Sequence, residues 1–330
     1  MKPILKDRRI QSFYSKKLLK RDLKNYTSTY QKINKEAFDH LREHELMLID
    51  SQRVDAYHAA ISRFVHPGDT VIDLGTGLGI LAFFAAKQGA KKVYAIDHSK
   101  IIQAAEQVAQ FNQIENVEFI QTHSKQFTLA APVDVIIHDQ IGNFLLDEDM
   151  VENICELRDR LLKKGGRIIP DAFDLFIEPV KIIDSQHVPL IKEMNIHGID
   201  FSTLQENITE EDYSYLWKTD PASVEYFLCD PQPIYTFNLQ TINPGDIPND
   251  LEFSRVVRHA GRLDGLIVYF QCAFDEDIVM TTGPFQNRAT SWKYCLLRID
   301  SMFYKEGDIL HFQLKTDELR IPITWRWVIR

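Results

Sequence analysis

The sequence predicts an α/β protein of two structural units, a parallel β-sheet covered by helices and then a predominantly β unit. Strand-like and helix-like segments alternate over residues 65–170, which is typical of a parallel sheet with helices on both faces. After Pro170 the helices give way to short alternating segments with turns between them, a pattern typical of a sandwich or barrel. At 330 residues, 45% of them hydrophobic, the chain is long enough to bury a core in both units.

The predicted elements of the first unit follow one another with short connections. Apolar residues at helical spacing predict a helix over residues 36–64, which the sequence His-Pro-Gly-Asp at 66–69 separates from the sheet. Strands are predicted at residues 70–74, 92–96, 117–121 and 133–137. Helices are predicted at residues 80–88, 99–112 and 150–162. The last helix is expected to stop at Lys-Lys-Gly-Gly, residues 163–166, because basic residues and glycine favour helix C-termini.

The second unit is predicted to consist of strands joined by turns. These strands are expected at residues 174–179, 234–239, 265–274, 293–299 and 309–314. Between the first two lies an acidic stretch of helix-forming composition, residues 185–226. We expect this stretch to be an insertion into the β unit.

Composition and charge exclude several classes of protein. The four cysteines are widely spaced without a Cys-x-x-Cys pair, which argues against a disulfide framework or metal site and fits a reducing compartment. No run of 18 apolar residues and no apolar signal core appear, so we expect a cytoplasmic protein that does not bind membranes. Residues 1–35 hold eleven Lys and Arg against two acids, whereas the rest is acidic enough to give a total charge of -9. We interpret the basic segment as a solvated helical face rather than a nucleic-acid site, and the acidic body suits cationic substrates.

A nucleotide-like ligand is predicted at the turn after the first strand. Gly75, Gly77 and Gly79 follow Asp73 and open the next helix, and glycine lets the backbone approach a ligand closely. Asp97 ends the next strand, where a carboxylate can accept hydrogen bonds from ribose hydroxyls. A tight structural turn, a dinucleotide site and a site for S-adenosylmethionine all have such a turn. The third glycine comes one residue too early for the dinucleotide pattern, and Asp73 suits the cationic amino-acid end of S-adenosylmethionine, which we therefore predict.

Three further motifs accompany this turn. Residues 44–53 read His-Glu-Leu-Met-Leu-Ile-Asp-Ser-Gln-Arg, and residues 139–148 read Asp-Gln-Ile-Gly-Asn-Phe-Leu-Leu-Asp-Glu. Residues 289–293 read Ala-Thr-Ser-Trp-Lys. With these motifs the chain resembles the protein arginine methyltransferases, from about His44 to Arg330.

The resemblance implies roles for residues around both ligands. Arg53 would pair with the carboxylate of the methyl donor, since a planar guanidinium matches a carboxylate, and His44 would lie beside it. Gln126 would lie against the adenine amino group. Met47 and Trp292 would line the pocket for the substrate arginine.

The resemblance also assigns the substrate guanidinium to two acids, Asp139 and Glu148. A guanidinium is planar, delocalised and always charged, so it is a poor nucleophile. It must also approach a sulfonium, and like charges about 4 Å apart repel by roughly 4 kcal/mol at an effective dielectric of 20. Two carboxylates would neutralise this repulsion and favour attack by one nitrogen. The alternative interpretation is that both acids only cap a helix.

The domain organisation implied by the resemblance has three parts. Residues 1–64 would be N-terminal helices covering the cofactor, and residues 65–170 a Rossmann-like, seven-stranded methyltransferase domain. Residues 171–330 would form a β-barrel-like substrate domain. A helical dimerisation arm is expected within it at about residues 185–226, and with the arm a homodimer.

Three departures from the family pattern concern the substrate side. Asp139 replaces a glutamate, Gln126 replaces another, and Ser291 replaces a histidine that would partner Asp50. The leading prediction is methylation of arginine in proteins or peptides. Methylation of free arginine or a small guanidino metabolite, and a catalytically weak partner subunit of a methyltransferase complex, remain alternatives.

Overall fold

The computed structural model of the chain describes residues 32, 34–187, 189–207, 216–219, 223–286, 290–292 and 294–330. Several predictions lie outside these residues, namely those for 1–31, for the arm at 208–215 and 220–222, and for Ala289 and Lys293. Within the described part of the chain, no helix is both long and apolar enough to cross a membrane.

The first unit is built on a parallel sheet with β1 at its centre. Its strands are β1 (Thr70–Leu74), β2 (Lys92–Asp97), β3 (Val117–Gln121), β4 (Val133–His138) and β5 (Leu162–Ile169). They pair in the order β3-β2-β1-β4-β5, all parallel. The α/β fold class is confirmed, but the described residues give this sheet five strands rather than the seven that the resemblance implied. The next strand, β6 (Ala172–Ile182), pairs antiparallel with strands of the second unit instead.

The helices pack against this sheet and along the carboxyl ends of its strands. They are α1 (Leu41–Leu48), α2 (Ser51–Phe64), α3 (Ile80–Lys87), α4 (Ile102–Phe111) and α5 (Met150–Leu161). The single helix predicted over residues 36–64 is wrong, because the helical run is interrupted at Asp39–His40 and again at Ile49–Asp50. The Asp50 carboxylate accepts a hydrogen bond from Arg53 N at 3.1 Å and caps α2.

The helix predicted at residues 150–162 ends where expected, but residues 163–166 do not cap it. Helix α5 ends at Leu161, and the four residues continue as β5. Lys163 Nζ lies 2.6 Å from Asp134 Oδ1 on β4, and a Cβ atom at Gly166 would come within 2.9 Å of the Asp134 carbonyl oxygen. Lys163 and Gly166 therefore stabilise the close pairing of β5 with β4 and do not end a helix.

The second unit is antiparallel. Its main sheet has the order β10-β6-β14-β16-β9, with β11 paired to β6 and β15 to β14; smaller sheets are β12-β18-β19, β13-β17 and β7-β8. The strands after β6 are β7 (Asn195–Ile196), β8 (Ile199–Asp200), β9 (Leu216–Thr219), β10 (Val224–Phe227), β11 (Tyr235–Asn238), β12 (Asp250–Val256), β13 (Gly261–Leu263), β14 (Gly265–Ala273), β15 (Val279–Thr281), β16 (Tyr294–Leu297), β17 (Met302–Tyr304), β18 (Ile309–Lys315) and β19 (Arg326–Ile329). The five segments predicted from alternation fall on β6, β11, β14, β16 and β18. The predominantly β character is therefore confirmed.

The insertion predicted at 185–226 is not α-helical in its described part. It holds short 3₁₀ turns and the hairpin β7-β8, which reverses at His197 and Gly198 with φ of 52° and 87°. Strands β9 and β10 fall within the predicted range but pair with β16 and β6, so they belong to the main sheet. The acidic composition that suggested a helix suits an exposed hairpin equally well.

One hydrophobic core joins the two units. It contains Ile72 and Ile137 of the parallel sheet, Phe270 of β14 and Tyr57 of α2, all buried. Gln52 Nε2 of α2 also donates to the Thr281 carbonyl oxygen of β15 at 3.2 Å. The carboxyl ends of the parallel strands are thereby held against the second unit.

Candidate active site

A cavity of about 710 Å³ lies at the carboxyl ends of β1, β2 and β4, with α1 and α2 contributing to its wall. This edge of a parallel sheet is where open α/β folds bind ligands. Most of the predicted site residues line the cavity: His44, Met47, Arg53, Gly75, Gly77, Asp97, Asp139, Glu148 and Trp292. Asp73 and Gln126 do not line it.

The turn after β1 has the backbone that its glycines predict. Gly75, Gly77 and Gly79 have φ of 74°, 53° and 88°, a region that other residues rarely adopt. A Cβ atom at Gly77 would lie 2.9 Å from the His44 ring, so the glycine also makes room for α1. Gly77 N donates to Asp97 Oδ2 at 2.9 Å. The turn is therefore fixed to the acid at the end of β2.

Asp73 lies behind the turn and not in the cavity wall. Its side chain is fully buried, and Oδ2 accepts hydrogen bonds from Thr76 Oγ1 at 2.6 Å and from Ala82 N at 3.1 Å. Burial raises the pKa of Asp73 to about 7. Asp73 thus joins β1, the turn and α3, and it supports the backbone on which a donor would lie.

Asp97 presents a fixed carboxylate to the cavity. Oδ1 accepts hydrogen bonds from the backbone N and the Oγ of Ser99, both at 2.7 Å. The cavity volume falls within the range of roughly 300–1,000 Å³ that is usual for small-molecule sites. A glycine-lined turn, a fixed acid for ribose hydroxyls and a cavity of this size fit S-adenosylmethionine.

Gln126, which the resemblance placed beside the adenine, does not line the cavity. It ends the 3₁₀ turn Ser124–Gln126, where its side chain is exposed. The cavity wall at this point is formed by Thr122, His123 and Ser124 instead. His98 from the loop after β2 joins the same wall.

Arg53 is held inside the protein by Asp139. Its Nε donates to Asp139 Oδ2 at 2.6 Å, and its Nη2 contacts the same oxygen. Nη1 donates to Ser291 Oγ at 3.2 Å, and Cζ lies 4.2 Å from the centre of the Trp292 ring. The chain's own arginine therefore lies between the predicted catalytic acid and the predicted pocket wall.

Tyr57 is a site residue that the sequence reasoning missed. Its Oη lies 2.8 Å from the His138 carbonyl oxygen and 2.9 Å from Asp139 Oδ1. Its side chain is fully buried and lines the cavity. Because Tyr57 follows Arg53 by four residues, the two share one face of α2, and this spacing was the available signal.

Glu148 differs from Asp139 in having no partner among the residues that the structure describes. The half-buried Glu148 side chain lines the cavity, and within the described residues its carboxylate has no hydrogen bond or ion pair. Burial and then the neighbouring Asp147 raise the pKa of Glu148 to about 8. Burial also raises the pKa of Asp139, although Arg53 opposes this. Of the two predicted catalytic acids, Asp139 is thus paired and Glu148 is available to a cation.

The missing histidine partner of Asp50 is replaced by the loop itself. Asp50 Oδ2 accepts hydrogen bonds from Ser291 N at 2.7 Å and from Thr290 Oγ1 at 3.1 Å. The next residue, Trp292, is buried and donates from Nε1 to the Ile141 carbonyl oxygen at 2.7 Å. The loop is therefore joined to α2 and to the acidic segment, residues 139–148, without the histidine.

Comparison with known families and relatives supports this assignment of the cavity. A family described as ribosomal protein L11 methyltransferase (PrmA) matches residues 57–171, and one described as arginine methyltransferase oligomerization subdomain matches residues 172–319. Protein arginine N-methyltransferase 6 of Xenopus tropicalis is 30% identical over 275 residues, covering 80% of each chain. Protein arginine N-methyltransferase 1 of Oryza sativa subsp. indica is 29% identical over 274 residues, 81% of this chain and 69% of that one.

Two solved structures have the same fold. The Trypanosoma brucei PRMT1 enzyme-prozyme heterotetrameric complex with AdoHcy has a TM-score of 0.73 at 26% identity, covering 84% of this chain and 89% of that one. Arabidopsis thaliana protein arginine methyltransferase 10, in an open conformation, has a TM-score of 0.72 at 26% identity, covering 86% of this chain and 91% of that one.

The parallel sheet, the glycine turn and the fixed acid, with these likenesses, define an S-adenosylmethionine-dependent methyltransferase. The chain belongs to the protein arginine N-methyltransferase family, which confirms the resemblance found in its sequence. It is therefore an enzyme that transfers a methyl group from S-adenosylmethionine to arginine, and family membership favours arginine in proteins over free arginine.

Proposed function

We propose that Glu148 and Asp139 bind the guanidinium of an arginine in a protein or peptide, while the donor lies along Gly75, Gly77 and Asp97. The free carboxylate of Glu148 carries this proposal, because it lines the cavity without a partner in the described part of the chain. A buried acid is costly to ionise unless a cation is near it. A guanidinium, which stays charged at all relevant pH values, is the cation that relieves this cost.

The two acids suit the charge that the reaction brings together. The donor supplies a methyl group on a positively charged sulfur, and at about 4 Å a second cation would be repelled by roughly 4 kcal/mol at an effective dielectric of 20. Glu148 and Asp139 offset this repulsion and draw positive charge onto the nitrogens that they contact. When a nitrogen gains the methyl group it loses a proton. Glu148 binds the guanidinium in its ionised form and can therefore accept that proton, and the burial that raises its pKa to about 8 in the free protein makes it a stronger base than an ordinary carboxylate.

Arg53 is proposed to bind the carboxylate of the donor while it stays paired with Asp139. A guanidinium has five N–H groups, and three of them contact Asp139 and Ser291. Two N–H groups are thus left for the donor's carboxylate. The position of His44 supports a role in holding α1 over the turn, since its Nε2 donates to the Phe38 carbonyl oxygen at 2.9 Å.

The walls of the acceptor channel are proposed to be Met47 and Trp292, both of which line the cavity. Trp292 already has Arg53 over its ring, so its role is chiefly to fix Arg53. Met47 is unbranched and adaptable, which suits contact with the aliphatic part of a substrate arginine. On the donor side, His123 is proposed in place of Gln126 as a neighbour of the adenine.

Assembly is proposed to be a homodimer formed through the region around hairpin β7-β8. Residues 172–319 match a family described as an oligomerization subdomain. Ile196 and Ile199 on the hairpin are 52% and 63% exposed, and Phe111 on α4 is 87% exposed. Apolar side chains exposed on both units are consistent with pairing of the hairpin of one copy with the first unit of another.

The domain division that we propose follows the sequence prediction. Helical residues 34–64 contribute to the cavity wall, which supports 1–64 as the segment that covers the cofactor. The parallel sheet ends at Ile169 and the antiparallel strand β6 begins at Ala172, which supports 65–170 and 171–330 as the following domains.

A cytoplasmic location is proposed because the cysteines are free thiols, all buried.

The experiment that tests this function offers labelled S-adenosylmethionine with three acceptors. These are an arginine-rich peptide, the same peptide with lysine at each arginine, and free arginine. We expect label on the arginine peptide, located by mass spectrometry on guanidino nitrogens. Label on free arginine but not on the peptide would contradict the proposed acceptor, and label on the lysine peptide would contradict the proposed site chemistry.

A further inference from the structure

Arg320, near the C-terminal end of the chain, is surrounded by three carboxylates. Its Nη1 contacts Asp149 Oδ1, its Nη2 lies 2.6 Å from Glu318 Oε2, and its Nε lies 3.4 Å from Glu152 Oε1. The Arg320 side chain is 18% exposed, so these contacts are partly shielded from water. Asp149 is the neighbour of Glu148 in the chain and lines the cavity. The cation thus holds the residue that follows the acceptor acid, without lining the cavity itself.

Asp149 has a conformation that needs such a partner. It occupies the N-cap position of α5 in the left-handed region, with φ of 55° and ψ of 28°, and its side chain makes no capping hydrogen bond. An aspartate at an N-cap ordinarily accepts from the helix backbone, and a left-handed conformation is unfavourable for a side chain other than glycine. The Asp149 carboxylate pairs with Arg320 instead of capping. The ion pair therefore compensates for an unfavourable backbone conformation directly after Glu148.

The segment around Arg320 is itself firmly placed. Trp325 is buried, donates from Nε1 to the Leu319 carbonyl oxygen at 3.0 Å, and packs edge-to-face on Phe144 with ring centroids 5.3 Å apart. Phe144 belongs to the acidic segment that leads to Glu148. The acidic segment is thus held from two points by the C-terminal part of the chain.

The charge around Glu148 gives Arg320 a second effect. The charged groups that act on Glu148 are Asp147 and Asp149 in the same segment, Asp139 after β4 and Arg53 from α2. Asp147, Asp139 and Asp149 raise the pKa of Glu148, whereas Arg53 lowers it. Neutralising Asp149 with Arg320 limits the repulsion that Glu148 experiences when it ionises.

We propose that Arg320 is a positioning residue for Glu148: through Asp149 it fixes the start of α5 and neutralises the charge next to the acceptor acid. This inference rests on the proposed function, because it assumes that Glu148 binds the substrate guanidinium. It adds a residue 172 positions away in sequence, outside the cavity wall, to the machinery of the site.

The test compares R320Q with R258Q. Arg258 forms an exposed ion pair with Asp230 at 2.9 Å and serves as the matched control. We expect R320Q to lower kcat on an arginine peptide by about 10- to 100-fold, the scale of a small misplacement of a catalytic group. Donor affinity by calorimetry should stay within about twofold of wild type, because the donor residues are untouched. The acidic limb of the pH profile of kcat should move to higher pH, because Asp149 is no longer neutralised and raises the pKa of Glu148 further.

Charge rescue separates positioning from a general structural role. D149N in the R320Q background removes the unpaired carboxylate, so the acidic limb should move back toward the wild-type pH. D149N alone should move it to lower pH, and R320K should fall between wild type and R320Q. If R320Q does not fold, D149N and R320K are judged by the same pH criteria.

Two outcomes overturn the inference. One is an R320Q enzyme whose kcat and pH profile match those of R258Q, and the other is a profile that D149N does not move. Failure of the proposed function is recognised separately: Glu148→Gln would then keep near wild-type activity, whatever R320Q does.

Discussion

Glu148 should make the free protein less stable as the pH rises, and Glu148→Gln should remove this effect. The pKa of Glu148 is about 8 in the folded chain, against 4.5 for an ordinary glutamate. Between these two values the folded protein holds a proton that the unfolded chain has lost, so stability falls with increasing pH. The difference corresponds to at most about 5 kcal/mol. Because the side chain is only half-buried, we expect about 2 kcal/mol between pH 4.5 and pH 8.5.

The assay is urea unfolding of wild type and Glu148→Gln without ligands at pH 4.5, 6.5 and 8.5. The variant should match wild type at the lowest pH and exceed it by about 2 kcal/mol at the highest. Glu115→Gln, at an exposed position before β3, is the control and should follow wild type throughout. Parallel stability curves for wild type and Glu148→Gln would refute the reasoning, because they would mean that Glu148 titrates as an ordinary surface acid.

Three further predictions concern the donor, the product and the assembly. Gly77→Ala should weaken donor binding, measured by calorimetry, by about 1–3 kcal/mol. The backbone at Gly77 has φ of 53°, and the new Cβ atom would press on His44. Unchanged donor affinity would mean that the turn does not contact the donor. Asp139→Glu, alone or with Ser291→His, should change the ratio of mono- to dimethylated arginine more than donor affinity, because about 1.5 Å of side chain is added beside the guanidinium. Mass spectrometry of the products measures this ratio, and an unchanged ratio would mean that Asp139 has no bearing on specificity. Ile199→Asp on the exposed hairpin should shift the homodimer toward monomer in light scattering, whereas a wild-type monomer would contradict the proposed assembly.

The parts of the site that depend on contiguous sequence could be predicted. Strand β1, the turn through Gly75 and Gly77, and Asp97 at the end of β2 follow from local pattern and from the rule that parallel strands end at one edge. The two acids, Asp139 and Glu148, were predicted from the resemblance, and both line the cavity. For the same reason the alternating strands of the second unit were placed within a few residues.

The parts that depend on tertiary contacts could not be predicted. That Arg53 pairs with Asp139, and that Tyr57 contacts the other oxygen, requires α2 to pack over the end of β4. The replacement of a histidine by the backbone of Ser291 has no sequence signature, because every residue has an N–H group. The exposure of the Gln126 side chain likewise depends on the 3₁₀ turn after β3, which the sequence did not predict.

Steady-state turnover of Glu148→Gln and Asp139→Asn on an arginine peptide, with donor affinity measured on the same preparations, tests the central claim most directly. Both changes keep the shape of the side chain and remove its charge. The account predicts that turnover falls by about 100-fold or more, the usual cost of losing an electrostatic group at a reacting centre, while donor affinity of Glu148→Gln stays within about twofold of wild type. Near wild-type turnover in both variants would contradict it, and the acids would then be residues that only cap a helix.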